Sequence, residues 1–273
     1  MQAQSKRTKR HDRYILKQVI MALLVAGVAT QAKSAAAEDV QTQKDFSIWY
    51  ERSVIGGGAA SDAIAPDSQL RIYKWSSPLR IHAQFDDLSP EQAEALSGYL
   101  NQYAKIISDQ TEMQVQFDGS DSSETANILV LVGRTVAESV RAHEQEVAAV
   151  VNDGGAKAAK LLANPKNENE HCSSSLGAST EGEINNALVF APNSENLAVT
   201  KKCLGRMIFT ALGMLAPDLK SDSVLNRDDS ADLPTKDDRV AMRIQYIDQI
   251  QLGSTPSSIV SIIQQARDQG LLP

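Results

Sequence analysis

The chain has 273 residues, of which 42% are hydrophobic, 22% charged and 5% aromatic, with 15 Gly and 9 Pro. That composition excludes collagen-like, coiled-coil and wholly disordered classes and leaves a globular protein of one or two domains. The net charge of −7 is unevenly spread: residues 1–37 carry seven Lys or Arg against the single acid Asp12, so residues 38–273 hold 20 bases and 33 acids, a net −13.

The first segment reads as an export signal. Lys6 to Arg13 form a basic head, and Val19 to Ala29 follow as an uncharged apolar run of 11 residues. A helical membrane span needs ~20 residues, so this run is too short to cross. Small residues then offer two cleavage positions, after Ala32 and after Ala37, which completes the pattern of a secretory signal peptide. No later segment is long and apolar enough to span a membrane, so the expected location is periplasmic or secreted, with no transmembrane segment after cleavage.

Residues 38–68 are poor in apolar side chains apart from Phe46, Ile48, Trp49 and Tyr50, and they read as a flexible linker. Gly56-Gly57-Gly58 lacks the Lys-Ser/Thr that a phosphate cradle needs and reads as a hinge.

Residues 69–273 read as one α+β domain, a small mixed sheet with packed helices. Leu70, Ile72, Tyr73 and Trp75, then Leu79, Ile81, Ala83 and Phe85, alternate with period two around Ser76-Ser77-Pro78, which predicts one bent strand or two short ones. Ser89-Pro90-Glu91-Gln92 is a helix entrance with a capping box, and Ala93, Leu96, Leu100, Tyr103 and Ile107 then share one helical face. Met113, Val115 and Phe117 predict a short strand, and Asn127 to Val132 a buried one closed by Gly133. One helix is expected from Thr135 to about Val151, and a short one from Ala156 to Asn164. Residues 165–183 read as a long polar surface loop, and Ile184 to Ala191 as a strand. Helices follow over Asn196–Met214, over Asp232–Ile247 with Thr235 and Asp238 as a capping box, and over Pro256–Arg267.

Export changes how the two cysteines are read. In an oxidising compartment Cys172 and Cys203 are most simply a disulfide. Two buried thiols or a metal pair are the alternatives, the latter short of ligands at metal spacing, and His171 beside Cys172 does not complete a tetrahedral set.

Lys74-Trp75-Ser76-Ser77-Pro78-Leu79-Arg80-Ile81, Ala126-Asn127-Ile128, the Cys172 loop with its following strand, Cys203-Leu204 through Leu212-Gly213-Met214, and Leu233 to Asp238 with Ile244-Gln245-Tyr246 together resemble an exported bacterial family of unknown function. Its members carry a Cys-Ile-x-Glu-Glu-x-x-Gln-x-Leu-Gly-Leu helix and are similar in outline to zinc-metallopeptidase domains. The resemblance implies a zincin-like fold. A zincin helix needs His-Glu-x-x-His, two ligands four apart on one face and a Glu that activates the zinc-bound water, with a Gly three residues on. Setting Gly213 at that Gly puts Arg206, Met207 and Thr210 at the functional positions and Ala216 at a third-ligand position. Arg is permanently protonated, Met207 takes no proton and Thr210 is a poor ligand, so the motif is degenerate here. The same residues also read as an ordinary core helix, with Leu197, Val199, Leu204, Ile208, Ala211 and Leu212 inward.

Asn226, Asp228, Ser230, Asp232 and Asp237 place oxygens at the alternating spacing of a calcium loop, although Ala231 stands where the sharp turn calls for Gly. A solvated acidic loop feeding a capped helix is the alternative. No Gly-x-Ser-x-Gly elbow exists, and nothing in the sequence brings His82, His143 and His171 together. A net −13 with no basic aromatic stripe disfavours nucleic acid. The expectation is therefore an exported, non-catalytic α+β protein that needs no cofactor and binds a protein or an envelope component. Its rival is a hydrolase working through carboxylates such as Asp86, Asp87 or Asp228, or through a metal.

Overall fold

A computed structural model describes residues 72–118, 126–151, 172–214, 223–226, 231–254 and 256–270. The expected signal segment, the linker and the helix over 156–164 lie outside the described residues.

Pro78 releases the chain into β1 (Leu79–Phe85). Helix α1 (Pro90–Thr111) begins on the predicted capping box: the Gln92 amide donates to Ser89 Oγ at 3.2 Å and the Ser89 amide to Gln92 Oε1 at 3.0 Å, which satisfies two N-terminal donors at once. It ends on Glu112, whose amide donates to the Ser108 carbonyl. Strands β2 (Val115–Phe117) and β3 (Ile128–Gly133) follow, and every residue of β3 is buried.

The single helix expected after β3 is two, α2 (Val136–Ala142) and α3 (Glu144–Val150), parted at His143. The backbone there leaves helical geometry, at φ −118° and ψ 37°, and the imidazole bonds to a carboxylate at the end of β1. The expected loop over 165–183 contains a strand instead, β4 (Ser173–Ala178), which pairs antiparallel with β5 (Ile184–Pro192). Leu70 to Trp75 is not a full strand; of its described residues only Lys74 makes a bridge, to Glu183. Helices α4 (Leu197–Ala211), α5 (Lys236–Tyr246) and α6 (Pro256–Asp268) complete the described chain.

The five strands lie in the order β2-β1-β3-β5-β4, all parallel except β4 at the edge. On one face Leu129, Leu131, Leu188 and Phe190 pack against Val136 and Val140 of α2 and Val147 and Val150 of α3. Period two turns Val130, Val132, Val189 and Ala191 to the opposite face, also fully buried. On α1, the Tyr103 hydroxyl donates to the Gly205 carbonyl of α4 at 2.9 Å and the Tyr99 hydroxyl to that of Lys201 at 3.0 Å. Burial pushes both phenols upward, so they remain donors.

Cys172 and Cys203 form a disulfide, with Cα atoms 5.6 Å apart, tying the start of β4 to the middle of α4. The loop closed spans 31 residues, for which the chain-entropy relation gives about 3–4 kcal/mol of stability. Cys172→Ser with Cys203→Ser is expected to lower the melting temperature by roughly 10 °C in a domain of this size; calorimetry on the oxidised chain and the double variant measures it.

Asp238 is buried at the start of α5. Its carboxylate accepts from the Ser223 hydroxyl at 2.6 Å and from the amides of Val224 at 3.0 Å and Thr235 at 2.9 Å. Desolvation raises its pKa, and these hydrogen bonds only partly oppose that. A carboxyl whose folded pKa is raised contributes stability that is complete below the ordinary carboxylate range and is lost as pH rises through the folded value. The stability of the wild type relative to Asp238→Asn should therefore be largest in acid, below the ordinary carboxylate range, and shrink as pH rises above it. Denaturant melts of both proteins across that range measure it, and a constant difference would refute it.

Candidate functional site

Helix α4 carries the positions compared with a zinc motif. Asn196 caps it, its side chain accepting from the Ala198 amide at 3.1 Å. The inward face is Leu204, Ile208, Ala211 and Leu212, all fully buried. Val199, expected inside, is 50% exposed: it is three residues before Lys202 and seven before Arg206, and that spacing puts it on the outer stripe. Arg206 and Thr210, four apart, occupy the same stripe and are half-buried, whereas Met207 is buried. The Thr210 hydroxyl donates back to the Arg206 carbonyl at 3.0 Å, so its hydrogen is spent on the helix. The stripe thus presents a fixed cation, two methyl-bearing side chains and an ammonium. None is a ligand for zinc or a proton acceptor for water.

Gly213 follows the end of α4. It stands at φ +89°, a conformation glycine adopts without a Cβ penalty. A Cβ there would meet the Tyr73 carbonyl oxygen at 2.0 Å. The Ala216 position lies outside the described residues.

The carboxylates at the end of β1 part company. Asp87 is exposed and faces Arg134 at 3.6 Å, a solvent-screened pair of little energetic weight. Asp86 turns inward: its carboxylate accepts from the Ser139 hydroxyl at 2.7 Å and meets His143 Nε2 at 2.7 Å, and its main-chain carbonyl accepts from the Asn193 side chain at 3.3 Å. Gly133 makes this possible, because a Cβ there would sit 2.0 Å from Ser139 Oγ and 2.9 Å from the Asp86 carboxylate.

Asp86, Ser139 and His143 thus meet through the adjacency of β1 and β3, which no sequence spacing announces. The i, i+4 placement of Ser139 and His143 on one helical face was the available signal. The group can hold an imidazole in one orientation, with Nδ1 facing the Glu146 carboxylate at 3.9 Å. His82 is elsewhere, buried on β1 with Nε2 3.0 Å from Gln84 Nε2, and His171 lies outside the described residues.

Of the calcium-loop candidates, Asp228 and Ser230 lie outside the described residues. The main-chain carbonyl of Asp232 shares the Tyr99 hydroxyl hydrogen with that of Lys201, and Asp237 is exposed on the first turn of α5. Asn226 closes a turn, its amide donating to the Ser223 carbonyl at 3.1 Å. The carboxylate that gathers this region is Asp238, outside the candidate set. Among the described residues, no group of three or more His, Cys, Asp or Glu is placed to hold a metal ion.

No curated protein matches the chain. A family model described as "Protein of unknown function (DUF2927)" matches residues 59–265, from before the first described strand to within the last helix. That span covers well over half of the sequence, and the chain belongs to this family.

Proposed function

We propose that this is an exported, non-catalytic binding or assembly domain of the cell envelope, built on a zincin-like frame whose motif helix keeps its terminal turn and lacks its ligands. The observation that carries the reading is α4 itself. Its left-handed Gly213 closes the helix as a zincin glycine would, while Arg206, Met207 and Thr210 supply neither a metal ligand nor a base. The mixed sheet with one antiparallel edge strand beside that helix is compatible with such a frame. The basic-apolar-small order of residues 1–37 supports export, and a disulfide suits an oxidising compartment. Among the described residues no helix is long and apolar enough to cross a membrane.

A second reading has one observation in its favour. A carboxylate-fixed imidazole is the pair that a general base requires, and Asp86 with His143 supplies it. Against it, the same carboxylate is already committed to Ser139.

Expression of the full chain with its N-terminal segment, followed by fractionation, N-terminal sequencing and zinc analysis, tests the proposal. The expected product is extracytoplasmic, starts at Lys33 or Glu38, lacks stoichiometric zinc and cleaves no peptide library. Chelator-sensitive hydrolysis with one zinc per chain would overturn the non-catalytic reading. Metal-independent hydrolysis abolished by His143→Ala would transfer the function to the second site.

A further inference from the structure

At the opposite end of the strands from Asp86, where the chain enters β1 and β2, the C-terminal ends of α1 and α5 and the segment Lys74–Ser76 enclose an open groove of about 760 Å³. That is the size of a small-molecule or oligomer site. We propose that this groove binds a neutral oligosaccharide.

Charge and chemistry narrow the ligand to that class. Two cations, Lys74 and Arg243, face two carboxylates, Glu112 and Asp248, so the lining has no net charge with which to attract phosphate or a polyion. Both cations are engaged by the protein: Lys74 Nζ donates to the Ile250 carbonyl at 2.6 Å, and Arg243 to Gln110 Oε1 at 2.8 Å. A peptide in extended form is usually held by a sheet edge and by apolar pockets for alternate side chains. None of the five strands lines this groove, and polar side chains outnumber apolar ones in its lining. What the walls offer instead is the amides of Gln110, Gln249 and Gln251 and the carboxylates of Glu112 and Asp248. Such groups donate to and accept from the adjacent hydroxyls of a sugar.

Glu112 adds an independent sign. It closes α1 at φ +58°, in the left-handed region where glycine is the usual helix terminator. Backbone strain of this kind is tolerated where the side chain serves something other than the fold, and here the side chain lines the groove.

Titration calorimetry of the full chain tests this, with a β-1,4-linked N-acetylglucosamine tetrasaccharide, cellotetraose, and a Lys-containing tetrapeptide as the polypeptide arm. One or both saccharides should bind with Kd of about 1 mM or tighter, and Gln249→Ala and Glu112→Gly should each weaken binding by roughly tenfold. Glu112→Gly should at the same time raise the melting temperature, a split that a purely structural Glu112 would not produce. No saccharide binding at about 10 mM, affinity unchanged in both variants, or binding of the tetrapeptide alone would each overturn the assignment. The assignment rests on the proposed location only for where a glycan would be met. An exported, oxidised chain that ignores saccharides loses the groove and keeps the proposed function, whereas a cytoplasmic chain that binds them does the reverse.

Discussion

The last carbonyls of α4 are the constraint on which the rest of the described structure is hung. A helix end buried without donors would leave acceptors unpaired, at about 1–3 kcal/mol each. Here the Trp75 indole donates to the Ala211 carbonyl at 2.9 Å and the Tyr246 hydroxyl to that of Leu212 at 2.9 Å. Burial keeps the Tyr246 phenol protonated and therefore a donor. Gln245 spans the same end, its amide donating to the Tyr73 carbonyl at 2.6 Å. Three stretches far apart in sequence, 73–75, 211–213 and 245–246, are fastened together by one helix terminus. The approach is close enough that only a glycine fits at 213. Trp75, Gly213, Gln245 and Tyr246 all fall within the stretches that resemble the family, and the structure gives each of them a task in holding the fold.

Fixing that end determines what the remainder of α4 is free to become. With Leu204, Ile208 and Leu212 inward and Cys203 bonded to Cys172, the helix cannot rotate about its axis. Positions 206 and 210 are then confined to the half-exposed stripe, where side-chain identity matters little to packing. Substitutions at 206 and 210 therefore carry a small cost in stability, because the outer stripe and the face that makes the core are separate. Met207 is the exception: it is buried, so its apolar side chain serves the core.

Local chemistry was legible in the sequence and long-range pairing was not. Both capping boxes, Ser89 with Gln92 and Thr235 with Asp238, were readable because they are contacts between residues three apart. The β3 run and the start of α4 were readable from a strong apolar pattern and a cap, whereas the expected end of that helix at Met214 overshoots the observed end at Ala211. β4 was missed because Ser173-Ser174-Ser175-Leu176-Gly177-Ala178 has no β-branched or aromatic residue and little apolar surface. It is a strand by virtue of its pairing with β5 and its tether at Cys172. Gly177 leaves room there for the Asn186 side chain, which a Cβ would displace. The break at His143 was invisible for the same reason: its partner Asp86 is 57 residues away and becomes a neighbour only when β1 and β3 align.

The order β2-β1-β3-β5-β4 reverses direction at β1, and in open sheets of parallel strands the gap at such a point, outside the carboxyl ends, is where a ligand usually enters. Here Asp86, Ser139 and His143 fill that position with contacts to one another, and Asn193 from the end of β5 closes over the Asp86 main chain. Gly133, the one residue whose missing side chain could have left a gap, instead admits the carboxylate. The sheet has therefore converted its customary binding edge into a knot of internal hydrogen bonds. Its concave surface lies at the amino-terminal ends of β1 and β2, where α1 and α5 end and the charged side chains are balanced in number. A site grafted there owes nothing to the residues of α4, so the outer stripe of that helix and a ligand-binding role can belong to the same molecule without conflict.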